Sequence, residues 1–256
     1  MHYDVNKVAD LICNSKHAVA LTGAGISTLS GIPDFRSPAT GLWSRFSAET
    51  IFRIDHFYSQ PEDFFNFAKE FIYTLADAKP SIIHNLLSLL QSKGLIRRVI
   101  TQNIDTLHQK AGSQGVLELH GSPLKNYCVR CESCYSFDEM RTKINRDTIA
   151  RCDKCQNIVK PDIIFFGELL HENVLQAAFN ETEKSDCCIV LGSSLVVYPA
   201  ASIPDMIKRN GAKLIIVNRD RTPYDSRADI TLNMDLQSFG EELIDILKKR
   251  NIIGAS

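Results

Sequence analysis

The chain has 256 residues, 44% of them hydrophobic, and its 29 basic residues nearly balance 30 acidic ones for a formal net charge of −1. Such a chain can bury a full core, as one large domain or as one domain with a smaller module. The dispersed basic residues exclude a general nucleic-acid or anionic-membrane binder, since the longest basic run, Lys248-Lys249-Arg250, ends a predicted helix whose dipole accounts for it. No apolar stretch approaches a membrane span, and Asp10, Asn14 and Lys16 break any signal-peptide core near the N-terminus, so a cytoplasmic chain is expected. In a reducing compartment its eight cysteines are metal ligands or small buried hydrophobes rather than disulfides.

Val5, Val8, Ala9 and Ile12 recur at helical spacing and predict an opening amphipathic helix, followed by a strand Ala18-Val19-Ala20-Leu21. The next residues, Thr22-Gly23-Ala24-Gly25-Ile26-Ser27, give a strand followed by Gly-x-Gly, which suits a dinucleotide site because missing side chains let backbone amides approach a pyrophosphate. Thr28 stands where the hydride-transfer fingerprint wants a third small residue, and no acidic residue ends a second strand about twenty residues on, so a nucleotide is expected in a different pose. Gly and Pro make Ser30–Ser37 a loop, with Gly41-Leu42-Trp43 beyond it. There Arg36 suits a phosphate and Phe35 suits covering a reactive centre from water, against the plainer reading of Phe35 as an anchor and Arg36 as solvated.

Residues 61 to 76 predict a helix whose stripe of Phe64, Phe65, Phe67, Phe71 and Ile72 belongs to a core or module interface. Another helix is predicted from Pro80, a favoured first-turn residue, through Ile83, Leu86, Leu87 and Leu90 to Gly94, with His84 packed or capping.

Thr101-Gln102-Asn103-Ile104-Asp105 then leaves the buried strand end Val99-Ile100, and Glu118-Leu119-His120-Gly121 closes the same stretch. Gln102, Asn103 and Asp105 would project from the strand's carboxyl end, where open α/β sheets bind ligands. Asp105 can cap a helix Thr106 to Ala111 that Gly112 stops, and the returning chain can bring His120 to the same mouth. These four residues read as one polar constellation, although each alone fits a cap or a structural histidine.

The sharpest local motif is Cys128-x2-Cys131, twenty intervening residues, then Cys152-x2-Cys155, which matches a closed tetrahedral zinc site on two knuckles. Four thiolates leave no open position, so the metal is structural. Cys134 is a rival ligand, and two redox-active dithiols are the alternative, disfavoured by the lack of a βαβ context. Ile163-Ile164-Phe165-Phe166-Gly167-Glu168 is expected to resume the sheet. Cys187–Leu191 and Lys213–Val217 give two more buried strands that end at Gly192-Ser193-Ser194 and Asn218, a doubly wound pattern in which these residues hold a nucleotide or serve as ordinary turns. A last strand near Ile230 precedes a helix carrying Phe239, Leu243, Ile246 and Leu247.

Taken in order, Gly23-Ala24-Gly25-Ile26-Ser27, Gly31-Ile32-Pro33-Asp34-Phe35-Arg36, Gly41-Leu42-Trp43, Thr101–Asp105, His120-Gly121, the paired cysteines, Phe166-Gly167-Glu168 and Gly192-Ser193-Ser194 make the chain resemble the sirtuins. These are NAD-dependent protein-lysine deacylases, and the likeness is to their compact bacterial and archaeal members. The resemblance spans nearly all of the chain. It implies an α/β fold with a Rossmann-like doubly wound parallel sheet over residues 1–36, 80–121 and 163–256. The smaller domain would comprise a helical insertion, 37–79, and a four-cysteine zinc module, 122–162.

By the same resemblance, NAD and an acetylated protein or peptide enter from opposite sides of the cleft between the domains. Asp105 and the Ile104 backbone hold the nicotinamide carboxamide while its bond to ribose breaks and the acyl oxygen attacks the sugar carbon. His120 accepts a ribose hydroxyl proton, and the products are free lysine, nicotinamide and O-acyl-ADP-ribose. Asn103 orders ribose and a water, Gln102 contacts ribose, and Phe35 shields the intermediate. Ala24, Thr28 and Arg36, beside Gly23 and Gly25, lie along the pyrophosphate, and Gly192, Ser193, Ser194, Asn218 and Asp235 along the adenosine side. The peptide adds as a strand near Ile164, Phe165, Gly167, Glu168, Leu195, Val196 and Val197. Family members that remove acidic acyl groups carry a Tyr and an Arg where this chain aligns Phe65 and Ala68, so acetyl or a longer aliphatic acyl is favoured. A monomer is expected. The competing readings are an ADP-ribosyltransferase or NAD glycohydrolase at the same site, and a non-enzymatic zinc-containing module that senses NAD.

Overall fold

The computed structural model describes residues 4–34 and 48–254. Helix Val5–Asn14 opens it, capped by the Asp4 carboxylate on the Lys7 N–H, and buries the four apolar residues picked out by their spacing. Strands β1 (Ala18–Thr22), β2 (Arg98–Thr101) and β3 (Leu117–Glu118) come first. Then β4 (Gly121–Cys128), β5 (Cys134–Ser136) and β6 (Val159–Ile163) intervene before β7 (Cys187–Leu191), β8 (Lys213–Val217) and β9 (Ile230–Leu232).

Six strands form one parallel sheet in the order β3-β2-β1-β7-β8-β9, and the three intervening strands form a second sheet in the order β5-β4-β6. From β1 the chain winds outward through β2 and β3, then returns to place β7 on the other side of β1. Strand order therefore reverses at β1, and a crevice opens at the carboxyl ends of β1 and β7, where doubly wound sheets take ligands. In register, Thr22 stands beside Thr101 on one side and Leu191 on the other. β1, β7 and four of the five residues of β8 are buried, as expected for parallel strands covered on both faces. One face packs on the first helix, helix Ile82–Ser92 and helix Leu236–Lys249, through residues such as Ile12, Leu87 and Phe239. The other face packs Val19, Ile100, Val190 and Ile216 against Ile203 and Ile207 of helix Ile203–Arg209.

A third cluster gathers Phe52, Phe57, Phe64, Phe65, Phe67 and Phe165 with Met140, Val159 and the buried Cys128 and Cys152. Its rings meet edge-on, Phe57 and Phe165 at 5.3 Å between centroids and Phe57 and Phe64 at 5.3 Å, the favoured aromatic geometry.

Three predicted elements differ. The run from Ile163 does not resume the parallel sheet: β6 pairs antiparallel with β4, Gly121 opposite Ile163, because an apolar run alone does not say which sheet it joins. The aromatic helix is helical only over Pro61–Phe67; it widens over Ala68–Ile72, where the Tyr73 N–H reaches back five residues to the Ala68 carbonyl. The following helix starts at Ile82, not at Pro80, because Ser81 caps it: the His84 N–H donates to the Ser81 side chain, and His84 Nδ1 accepts from the Ser81 N–H. No helix among the described residues is long and apolar enough to cross a membrane.

Candidate active site

The carboxyl ends of β1 and β7 meet backbone to backbone. The Gly23 N–H donates to the Leu191 carbonyl and the Gly25 N–H to that of Gly192. A Cβ on Gly23 would come 2.8 Å from the Gly192 oxygen, and one on Gly25 2.8 Å from the Gly192 Cα. Gly-x-Gly therefore lets the β7 loop close against the β1 loop. The N–H groups of the two glycines are spent on that contact, a use the sequence reading did not include.

From this junction the polar constellation builds outward. Asn103 Nδ2 donates to the Gly23 carbonyl (3.1 Å) and to Ser27 Oγ (3.0 Å), while Ser27 Oγ donates to Asp105 Oδ2 at 2.6 Å. The other Asp105 oxygen accepts the Leu107 N–H at 2.9 Å. Thr106 adopts a left-handed φ of 61° as cap of the short helix Leu107–Lys110, one residue shorter at each end than expected. Asn103, Asp105 and Ser27 are all buried. A buried carboxylate stays in place when hydrogen-bond donors satisfy it, and these donors also fix its direction. Gln102 Nε2 donates to Ser193 Oγ at 2.8 Å, tying the end of β2 to the β7 loop.

Asn103, Ile104 and Asp105 line a cleft of about 230 Å³ with Ala24, Ser27 and, from the aromatic segment, Phe67 and Phe71. One wall is polar and fixed, the other apolar. His120 does not line this cleft. It approaches the same strand end from β3, its Nδ1 2.8 Å from the Gln102 carbonyl oxygen. A carbonyl oxygen only accepts, so Nδ1 carries the proton and the neutral ring keeps its lone pair on Nε2. Burial pushes the His120 imidazole below its ordinary pKa, partly offset by the Gln102 carbonyl. The ring is therefore a neutral base with a defined direction.

Away from the cleft, the sulfurs of Cys128, Cys131, Cys152 and Cys155 all lie within 4.8 Å of one another. The two knuckles match: Glu132 and Gln156, each following the second cysteine of its pair, have φ near +60° (57° and 61°) and donate to the carbonyls of Cys128 and Cys152. Tyr135 Oη donates to Cys152 Sγ at 3.3 Å. Cys134 is excluded from the cluster, its exposed thiol donating instead to the Glu132 carbonyl.

Residues 23–199 match the model of the Sir2 family. The NAD-dependent protein deacetylase of Thermotoga maritima is 48% identical over 236 residues, 92% of this chain and 95% of the relative. That of Sulfolobus acidocaldarius is 44% identical over 242 residues, 94% of each. A solved structure of a Sir2 variant with a deacetylated p53 peptide and 3′-O-acetyl ADP ribose superposes with a TM-score of 0.91 at 46% identity, covering 98% of this chain and 99% of that one. Sir2 with a p53 peptide and NAD+ superposes at 0.89, with 45% identity over 98% of this chain and 100% of the other. The chain belongs to the Sir2 family.

Within this sirtuin, several expected contacts need restating. Phe35 and Arg36 lie outside the described residues. Phe165 is 1% exposed within the aromatic cluster and Leu195 is 2% exposed beneath β7, so neither side chain is open to a peptide. The Phe165 N–H is also taken, by Glu168 at 2.8 Å. Phe166, passed over in the sequence, is half exposed, and its backbone bonds to Phe52 and Ile54. Val196 is exposed, Gly167 has a φ of 97°, and Ile164 donates its N–H to the His120 carbonyl. Glu168 also pairs with the buried Lys160 at 2.8 Å, which fixes the loop. Phe67, Phe71 and Ile72 of the aromatic segment line the cleft, and Phe65 and Ala68 do not, although Phe65, Phe67 and Ala68 are all buried in the same cluster.

Of the residues expected along the adenosine, Asp235 caps the last helix through the Ser238 N–H and Asn218 Nδ2 donates to the Asp220 carbonyl; Thr28, expected along the pyrophosphate, donates its Oγ1 hydrogen to the Gly25 carbonyl. Ser194 follows the buried Ser193, at the switch point itself. Ser27 was overlooked although it links Asn103 to Asp105; the one signal for it was a small hydroxyl just after Gly-x-Gly.

Proposed function

We propose that this chain removes acetyl groups from protein lysine side chains with NAD as co-substrate, releasing nicotinamide, O-acetyl-ADP-ribose and the free lysine. The observation that carries the reading is the direction of His120, whose Nδ1–H is spent on the Gln102 carbonyl so that Nε2 is left to take a proton. An NAD-hydrolysing or ADP-ribosylating site needs no base aimed at a ribose hydroxyl. NAD supplies an activated sugar carbon, because its nicotinamide leaves as a neutral ring. Asp105 and Ile104 grip the carboxamide from the cleft, with Ser27 and the Leu107 N–H holding the Asp105 carboxylate. Asn103 is held by Ser27 and the Gly23 carbonyl, in place to order the ribose side. Phe67 and Phe71 exclude water from the cleft and disfavour a charged acyl group.

The acetylated peptide lies as an added strand between the backbones of residues 164–168 and 195–197, with Phe166 and Val196 as its open apolar contacts. One structural zinc binds Cys128, Cys131, Cys152 and Cys155. Bonds of ~2.3 Å to one ion put tetrahedral sulfurs about 3.8 Å apart, which fits four thiols already gathered without a counter-charge. The cluster joining residues 51–73 to 128–165 supports reading the two insertions as a single smaller domain.

The test is mass spectrometry of protein, NAD and an acetyl-lysine peptide, for wild type and His120→Tyr. Peptide lighter by one acetyl, with acetyl-ADP-ribose formed, is expected. A peptide heavier by ADP-ribose, or NAD lost with the peptide unchanged, would replace the reading with transfer or hydrolysis. His120→Tyr should lower turnover by roughly 10²- to 10⁴-fold, the ordinary contribution of a general base, with melting temperature nearly unchanged.

A further inference from the structure

Behind the strand ends that carry Asn103, two buried imidazoles face each other. His84, on helix Ile82–Ser92, is 0% exposed, and His108, on the short helix after Asp105, is 1% exposed; their ring centroids are 4.7 Å apart at 60°. Their protons follow from their partners. The Ser81 N–H donates to His84 Nδ1 at 3.2 Å, so Nδ1 is bare and the proton of the neutral ring is on Nε2, which is buried with no partner. The Thr22 hydroxyl donates to Thr101 Oγ1 at 2.9 Å and must accept from His108 Nε2, also 2.9 Å away. His108 therefore carries its proton on Nε2 and leaves Nδ1 as a buried lone pair with no partner. One ring has an unused N–H and its neighbour an unused lone pair, and buried polar groups left unpaired are costly. Thr101 Oγ1, at the end of the chain, also accepts the Asn103 N–H at 3.1 Å.

We propose that His108 is a positioning residue that anchors the Asn103 backbone through Thr22 and Thr101. The role of Asn103 rests on the deacetylase reading above; the hydrogen-bonded chain does not. Donation runs one way, from His108 to Thr22, and ends at Thr101, which receives from Thr22 on one side and Asn103 on the other. His108 does not line the cleft, so it acts only through this chain. Both rings stay neutral: burial lowers the His84 and His108 pKa values, His108 to about 3.

Long-range ¹H–¹⁵N correlation of the histidine side chains in the full-length, metal-loaded protein, without NAD or peptide, reads the tautomers directly, with His84→Gln, His108→Phe and His120→Tyr assigning the signals. His84 and His108 should both be Nε2–H tautomers and His120 the Nδ1–H form; His108 protonated on Nδ1 would overturn its donation to Thr22 and with it the chain. Because that measurement needs no turnover, a wild-type protein with these tautomers but no deacetylation would sink the functional reading alone. Kinetics test the positioning. Thr22→Val should lower kcat by about 10-fold with KM for NAD changed by less than about 2-fold, a small misplacement of a catalytic group being felt in rate, and Thr22→Ser should restore it. An unchanged kcat in the Val variant, or no recovery in the Ser variant, would show that the chain through Thr22 positions nothing. His108→Phe is expected to match Thr22→Val where it folds.

Discussion

Around the parallel sheet the core is aliphatic and continuous, with Val19, Ile100, Val190 and Ile216 on one face and Ile12, Leu87, Ile189 and Val217 on the other. On the other side of the cleft it is a knot of phenyl rings set against Cys128, Cys152 and Cys155, beside a separate antiparallel sheet of three strands. The first region buries apolar surface from parallel strands covered by helices on both sides, and each fully buried large side chain is worth about 1.5–3 kcal/mol. The second has β5 of only three residues, and β4 slips register between Ser122 and Asn126. Small modules of this kind need a staple. The cleft is thus bounded by one wall that holds itself and one that the proposed zinc would staple, which suits a site where one substrate must be gripped and another threaded.

Removing the metal should break this comparison most visibly. Structural zinc in small modules contributes an apparent ~10–16 kcal/mol of folding free energy, so a strong chelator should unfold the four-cysteine region outright while the parallel sheet persists. Hydrogen exchange resolved by peptide is the measurement: amides of 122–162 should lose protection, and those of β1, β7 and β8 should keep it. Uniform loss across both regions would mean that the two cores are one cooperative unit.

The parallel region has its own weak point, and it is steric. Gly192 has a φ of 63°, and a Cβ there would sit 2.7 Å from the Ile26 nitrogen and 2.9 Å from the Gly25 Cα, all backbone. Gly31 also has a positive φ, 79°, yet a Cβ there meets nothing within 4 Å. Gly31→Ala should therefore cost about 1–2 kcal/mol for the left-handed conformation alone. Gly192→Ala adds a backbone displacement and should cost about 3–4 kcal/mol, in the upper range for single substitutions. Equal denaturation midpoints for the two variants would remove the interlock of the β1 and β7 loops from the account.

Acid should next find the imidazoles of the parallel region. Burial holds both His84 and His108 below the ordinary histidine value of about 6.5, which they regain on unfolding. As pH falls below 6.5 the unfolded chain binds these protons first, so stability declines from there toward the folded-state values, about 3 for His108. Above pH 7 both states are neutral and the pair adds no slope. Melting temperature measured from pH 7.5 to 5 should fall less steeply in His108→Phe than in wild type; parallel curves would show that His108 titrates alike in both states.

Strands and the four-cysteine cluster were legible in the sequence because each follows from a local rule. The buried runs at Ala18, Cys187 and Lys213 could be little else than parallel strands, and cysteines spaced two apart, twice, have few uses. What could not be read was partnership across distance. Nothing local says that Ser27 links Asn103 to Asp105, or that Gly23 and Gly25 serve Gly192 before any phosphate. The run after Ile163 was apolar enough for either sheet, and only the Gly121–Ile163 pairing decides between them. Phe65 and Phe67 look alike in sequence and both pack in the aromatic cluster, yet only Phe67 also lines the cleft. His120 was visible as a candidate, while its proton was not, since that depends on a carbonyl eighteen residues away.

The smallest effect tests the four-cysteine wall at one atom. Tyr135 Oη donates to Cys152 Sγ at 3.3 Å and accepts the Asp153 N–H at 2.8 Å, while Lys143 lies 4.8 Å from the centre of its ring and pairs with Asp153. The hydroxyl holds the Cys152 thiol well below its usual range, favouring the thiolate that a metal needs. Tyr135→Phe keeps the ring and its contact with Lys143 but removes the donor. Partners that orient metal ligands are worth about 10- to 100-fold in affinity, and with three thiolates untouched the lower end is expected, about 10-fold weaker zinc binding by competition with a chromogenic chelator. The Asp153 N–H would then turn to solvent, so the melting temperature of the metal-loaded protein should barely move. A large loss of stability with unchanged zinc affinity would mean that Tyr135 serves the aromatic core, and that the four thiols need no donor beyond their own knuckles.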